Sequence, residues 1–199
     1  VLNGSAEVII YPDPVATIDG ALAFCEFSTE YLDVVVTGGT GSYDAIWINT
    51  TTNEQDTSLV SGDSAQIAIS PPAGFHNFNL VLVTDQNTGC TTTGSGTATA
   101  DVVAAPKMDV GGVDTVCDPG FASIPQMLID LYNIQGTAPF TVYFNDGNTQ
   151  FIETISNTND VQISADGYFN GSQTTTYYFI DSITDGSIAQ CVGYGNGQA

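Results

Sequence analysis

Positive charge is nearly absent from this chain. Across 199 residues one basic side chain, Lys107, faces 22 Asp and Glu, giving a formal net charge of −21. Almost no carboxylate can have a cationic side-chain partner, so ion pairs do not hold the fold together. Such a surface repels phosphate backbones and anionic lipid, which excludes nucleic acids and membrane surfaces as partners. Long apolar runs are missing too; none approaches the roughly 20 residues of a membrane helix. Val1 is not an initiator methionine and no signal peptide is read, so the chain is expected to be a mature product or an excised piece. No GxSxG, HExxH, P-loop or Rossmann glycine pattern occurs. The one histidine, His76, follows Pro71-Pro72 in what reads as a loop, without an ionisable neighbour. None of the 22 acids stands out as half of a glycosidase pair. The expectation is a protein that is not an enzyme.

What the chain does contain is a repeat. Gly38-Gly39-Thr40-Gly41-Ser42-Tyr43-Asp44-Ala45-Ile46-Trp47 follows the apolar run Val34-Val35-Val36 and reads as strand, turn, strand. Glycine supplies the positive φ of the turn, and β-branched and aromatic residues favour the flanking pleats. The construction returns as Ile134-Gln135-Gly136-Thr137-Ala138-Pro139-Phe140-Thr141-Val142-Tyr143-Phe144, with Gly136-Thr137 over Gly39-Thr40, Phe140 over Tyr43 and Phe144 over Trp47. Two diverged copies of one unit follow from this, each of about ninety residues.

The four cysteines fall near the two ends of each copy, Cys25 and Cys90 in the first, Cys117 and Cys191 in the second. Their spacing fits no zinc motif, where ligands come in pairs two to four residues apart. Disulfides are expected instead. Of the three connectivities, Cys25 with Cys90 and Cys117 with Cys191 would staple each copy internally, constraining its unfolded chain by about 4 kcal/mol. Oxidised pairs imply an extracellular location.

Short strands with regular turn signals fill the first copy: 16–18, 21–27, 31–37, 43–49, 64–70, 77–84 and 97–103, with alternation plain in Ala65, Ile67, Ile69 and in Phe78, Leu80, Leu82. The second copy repeats the plan through 124–134, 140–144, 151–155, 160–164 and 175–180. No amphipathic helix of about ten residues is found. The fold class is all-β, two tandem immunoglobulin-like antiparallel β-sandwiches. Residues 1–15 hold a strand around Ala6–Tyr11 ended by Pro12 and Pro14, 16–106 form the first domain, and 107–199 form a second domain that lacks its last strand, with no strand expected after Cys191.

An early cysteine, the GGTGxYxxxW stretch, a strand running into Val83-Thr84-Asp85, the closing Asn87-Thr88-Gly89-Cys90 and a final strand before a proline together resemble the SprB-type and PKD-like repeats of large bacterial surface adhesins. The resemblance covers nearly all of the first domain and, more loosely, the second, where Ala138-Pro139 replaces Gly41-Ser42 and Phe144 replaces the tryptophan. It implies an extracellular β-sandwich module of cell-surface proteins used for gliding and attachment, with no catalytic residue to carry over.

Several residues remain as candidates. Trp47 sits where a strand-C tryptophan packs on an inter-sheet disulfide. No cofactor is expected; calcium is the small partner this acidic surface suits, with Asp109 and Asp114 of Asp109-Val110-Gly111-Gly112-Val113-Asp114 as its ligands, although no EF-hand or nonapeptide spacing occurs. Asn3-Gly4-Ser5, Asn49-Thr50-Thr51 and Asn170-Gly171-Ser172 match the glycosylation pattern and are expected to be mostly bare. The function expected is a structural subunit of an extracellular filament or surface fibre. Its copies join head to tail when Ala6, Val8, Ile10 and Tyr11 enter the open second sandwich of the next copy, with Val8 and Ile10 pointing inward. The rival reading is a carbohydrate-binding adhesin module of a larger tandem-repeat protein, with Tyr168, Phe169, Tyr177 and Tyr194 as a stacking platform for surface glycans.

Overall fold

The computed structural model describes residues 4–5, 7–115, 126–166 and 175–199. The chain divides into two compact units, Val1–Val102 and Val103–Ala199. Among the described residues no helix is long and apolar enough to cross a membrane.

The first unit contains β1 (Val15–Asp19), β2 (Ala21–Cys25), β3 (Glu30–Thr37), β4 (Ser42–Asn49), β5 (Glu54–Ser61), β6 (Ser64–Ile69), β7 (Gly74–Asp85), β8 (Thr91–Thr93) and β9 (Thr97–Val103). They form two sheets, β1-β3-β6 and β2-β9-β7-β4-β5, with β8 paired to β7. The period-2 pattern explains why both sheets turn an apolar face inward. Leu32, Val34 and Val36 of β3 and Ile67 and Ile69 of β6 form one core cluster with Tyr43, Ala45 and Trp47 of β4, Phe78 and Leu80 of β7, and Ala98, Ala100 and Val102 of β9. Each of the larger side chains contributes about 1.5–3 kcal/mol by leaving water. This is an antiparallel β-sandwich.

The second unit contains β10 (Lys107–Gly111), β11 (Gln126–Gln135), β12 (Phe140–Asn145), β13 (Gln150–Ile155), β14 (Val161–Asp166), β15 (Phe179–Thr184), β16 (Val192–Gly193) and β17 (Gly195–Gly197). Its sheets are β14-β11-β10-β17 and β13-β12-β15-β16. Strand for strand, β10, β11 and β14 repeat β1, β3 and β6, while β12, β13, β15 and β16 repeat β4, β5, β7 and β8. The core repeats with them: Ile129, Leu131, Phe140, Val142, Phe144, Tyr178 and Ile183 are buried together.

Four expectations change. Strand β5 has no apolar alternation to announce it, because it lies at a sheet edge with only Val60 buried. Strand β15 runs over Phe179–Thr184, four residues beyond the segment expected at 175–180. Two short strands, β16 and β17, do follow Cys191. The segment Glu7–Tyr11 belongs to no strand, and its side chains are exposed. Proline ends explain the last point only in part; among the described residues no strand pairs with it.

Candidate functional site

The repeated Gly-Thr pair and the acid that precedes each closing cysteine turn out to be two halves of one structure. Asp85, at the end of β7, is fully buried. Thr40 donates to it twice, from its backbone N–H to Oδ2 at 2.6 Å and from its hydroxyl to Oδ1 at 2.7 Å. The amides of Asn87 and Thr88 add bonds to Oδ1 at 2.9 and 3.2 Å. Burial pushes the Asp85 carboxyl up, but the Thr40 hydroxyl and the amides of Asn87, Thr40 and Thr88 outweigh it and hold the group below its ordinary value. Gly39, at φ 69°, is required here: a Cβ on it would meet Asp85 Oδ2 at 2.6 Å. The second unit builds the same clip. Asp185 is buried and accepts from the Thr137 amide at 3.2 Å, the Ser187 hydroxyl at 2.6 Å and the Cys191 amide at 3.0 Å. Reading the acids as solvated missed both aspartates; the signal was an Asp five or six residues before each closing cysteine, matched to a Gly-Thr pair in each copy.

Among the cysteines, Cys25 and Cys191 are disulfide-bonded and Cys90 is a free thiol. The expected Cys25–Cys90 bridge is therefore absent. Cys117 lies outside the described residues. Trp47 is core as expected and packs on Phe78, with ring centroids 5.8 Å apart, and its Nε1 donates to Ser58 Oγ at 3.1 Å. His76 is a buried residue of β7, not of a loop. Its Nδ1 lies 3.0 Å from the Asn49 amide nitrogen, and its Nε2 lies 2.8 Å from the Pro72 carbonyl. These partners assign the Nε2–H tautomer, since only an acceptor suits the amide and only a donor suits the carbonyl. Asn49, 2% exposed, is thereby unavailable to a glycan. Ala6, Tyr168, Phe169, Asn3 and Asn170 lie outside the described residues.

The calcium candidates each accept hydrogen bonds from neighbouring groups. Asp109 accepts from the Asn133 amide at 2.7 Å, while Asp114 accepts from the backbone amides of Thr115 and Leu128. Among the described residues no group of three or more His, Cys, Asp or Glu could hold a metal ion. Of the stacking candidates, Tyr177 and Tyr194 are both exposed.

The two units part at their ends. In the first, Gly94-Ser95-Gly96 crosses to β1 through a parallel bridge of Ser95 with Thr17 and then enters β9. In the second, Gly195-Asn196-Gly197 crosses to β10 in the same way, with Asn196 opposite Asp109. The match holds to the atom. A Cβ on Gly96 would strike the Ile18 carbonyl oxygen at 2.1 Å, and one on Gly197 the Val110 carbonyl oxygen at 2.3 Å. Next in the first unit comes Ala98, opposite Phe78. Next in the second comes Ala199, which exchanges backbone bonds with Tyr178 at 3.0 and 3.1 Å. Phe78 tilts against Trp47 at 59°, and Tyr178 against Phe144 at 58°. From there β9 runs on between β2 and β7. In the second unit the residues facing that course, Thr175–Tyr177, belong to no strand.

The fold thus defines the class: an all-β protein of two antiparallel sandwiches of immunoglobulin type. No family model matches the chain, and no curated protein matches it by sequence. Among solved structures it is similar to a Ca2+-stabilized adhesin that helps an Antarctic bacterium bind ice, at 12% identity and a TM-score of 0.45 over 96% of this chain. A second similarity is to the calcium-binding domain CBD12 of CALX1.1, at 10% identity and a TM-score of 0.31, covering 85% of this chain and 79% of the other. The chain spans about half the length of the adhesin, 49%.

Proposed function

We propose that the chain is a structural, surface-displayed module of the adhesin-repeat kind, related to SprB-type repeats, whose copies join head to tail by strand donation into an extracellular fibre. The observation that carries this reading is the match of residues 6–14 to 98–106. Ala98, Ala100 and Val102 are the buried positions of β9, and Pro106 stands just before β10. Ala6, Val8 and Ile10 repeat their spacing, and Pro14 stands just before β1. The N-terminal segment is thus written as the last strand of a preceding sandwich. Val8 and Ile10 are 81% and 88% exposed, a cost in water that burial in a partner relieves. Because donor and acceptor are different surfaces, repetition gives an open fibre. Disulfide-bonded Cys25 and Cys191 suit an oxidising, extracellular setting.

Deletion of residues 1–11 tests the reading by light scattering and electron microscopy. Full chains should form fibres with rising concentration and the deleted form should stay monomeric; fibres from the deleted form would overturn it. Exposed Tyr177 and Tyr194 keep the glycan-binding reading as the second one, and binding of the monomeric deleted form on a glycan array would favour it.

A further inference from the structure

Cys90 is a thiol at a place in the fold where the second unit carries a disulfide. We propose that Cys90 is a disulfide site for a cysteine of a second copy, formed beside the N-terminal segment through which the copies join. This rests on the head-to-tail reading and adds a covalent bond to it.

The two closing cysteines hold one position. The Asp85 amide donates to the Cys90 carbonyl at 2.8 Å, and the Asp185 amide donates to the Cys191 carbonyl at 3.0 Å. The residues that follow match as well: Thr91 stands opposite Thr84 on β7, and Val192 opposite Thr184 on β15. At this shared position the sulfur of Cys191 is in a disulfide and that of Cys90 is not. Cys25 is bonded too, so among the described residues Cys90 is the one thiol left. It is also within reach of a partner. Cys191 is fully buried, whereas Cys90 is half-buried and follows the exposed residues Gln86, Asn87 and Gly89.

Its surroundings point to a second copy as the source of the other sulfur. The backbone of Asp13 lies against the Gly38 turn, since a Cβ on Gly38 would meet the Asp13 carbonyl oxygen at 2.7 Å. Thr40 of that turn holds Asp85, and the Asp85 amide holds Cys90. The chain before Asp13, with Val8, Ile9 and Ile10 exposed, therefore leads off from the end of the unit that carries the thiol. A copy that takes up this segment is delivered to Cys90. In an oxidising medium the Cys90 thiolate displaces one half of a low-molecular-weight disulfide such as oxidised glutathione, and the partner's thiolate then attacks the Cys90 sulfur and displaces the other half. Two protein thiols are oxidised to one disulfide, and the small disulfide leaves as two thiols.

The test mixes full chains carrying heavy and natural nitrogen in a glutathione redox buffer, alkylates the remaining thiols and maps the disulfide peptides. Cys90 peptides joined across the two labels are expected, and Cys90→Ser should lose every such pair while its melting is unchanged. Chains lacking residues 1–11 should lose them too, because the segment that brings the copies together is gone. If Cys90 is alkylated, carries only glutathione, or is bonded only within one label, as in an internal Cys90–Cys117 bond, the disulfide site is overturned and the head-to-tail reading survives. If bonds across the labels form equally well without residues 1–11, the site stands and the reading that copies join through that segment fails.

Discussion

The first unit closes its core with β9, and the second follows the same plan as far as Ala199, which exchanges both backbone bonds with Tyr178. Up to that point the two are built alike from unlike residues. Tyr43 becomes Phe140 and Trp47 becomes Phe144, yet all four are buried. The Asp85 clip takes its hydroxyl from Thr40, ahead of β4, whereas the Asp185 clip takes one from Ser187, beyond β15. What the copies share is a requirement for a donor at one place, not for a residue. They differ at their last described strands, the seven-residue β9 of the first unit against the three-residue β17 of the second.

Charging the last strand breaks the comparison most severely. Val102→Asp puts an unpaired carboxylate at a position 2% exposed, and we expect a loss of about 3–5 kcal/mol in the first unit. Ala199→Asp, at the half-buried end of the second, should cost well under half of that. Calorimetry reads both, and equal losses would show that the second unit depends on its terminal residue as fully as the first depends on β9. Gly39→Ala comes next, with an expected cost of about 1–3 kcal/mol, since alanine at φ 69° is strained and its methyl group collides with the Asp85 carboxylate. Gly136→Ala, at φ 120° and 3.0 Å from Phe140 and Pro106, should also destabilise, through packing and not through a carboxylate. A Gly39→Ala protein with unchanged melting would refute the clip as a determinant of stability.

The clip also gives a pH dependence with a definite sign. Asp85 titrates below its ordinary 3.8 when folded, so the unfolded chain binds its proton first as pH falls. Its contribution is fully present above about pH 4 and is lost as pH drops through the folded value. Asp85→Asn should flatten that acid limb and lower stability at neutral pH, because an amide cannot accept all four bonds. A limb as steep as the wild type's would rule Asp85 out as its source.

The fold class was legible because alternation and turn glycines report the inward face directly, as in Leu32, Val34 and Val36. Strand β5 was hidden because an edge strand needs no apolar pattern, and β16 and β17 because their glycines are chosen for close backbone approach and look like linker. Gly195-Asn196-Gly197-Gln198-Ala199 beside Gly94-Ser95-Gly96-Thr97-Ala98 was the available signal. The disulfide expectation failed on Cys90 because spacing fixes loop length but not which thiols meet. Asp85 and Asp185 were lost among 22 acids, since burial of a carboxylate depends on amides brought from elsewhere in the chain.

The smallest expected effect concerns how so acidic a surface satisfies its carboxylates with one base. Asp33 and Asp130 hold equivalent places on β3 and β11, and each faces a glutamine across the ladder: Gln66 donates at 3.0 Å and Gln162 at 2.7 Å. An amide donor costs nothing in charge balance and its bond is not screened by salt, unlike an ion pair, which fades within a Debye length of roughly 10 Å at 0.1 M. Gln66→Ala and Gln162→Ala should each lose only about 0.2–0.5 kcal/mol, and equally in the two units. Gln66→Lys should gain up to about 0.5 kcal/mol at low ionic strength, a gain that molar salt removes. If the lysine variant kept its gain in molar salt, the net negative field would not be what that position feels, and the amide pairing would be a matter of packing alone.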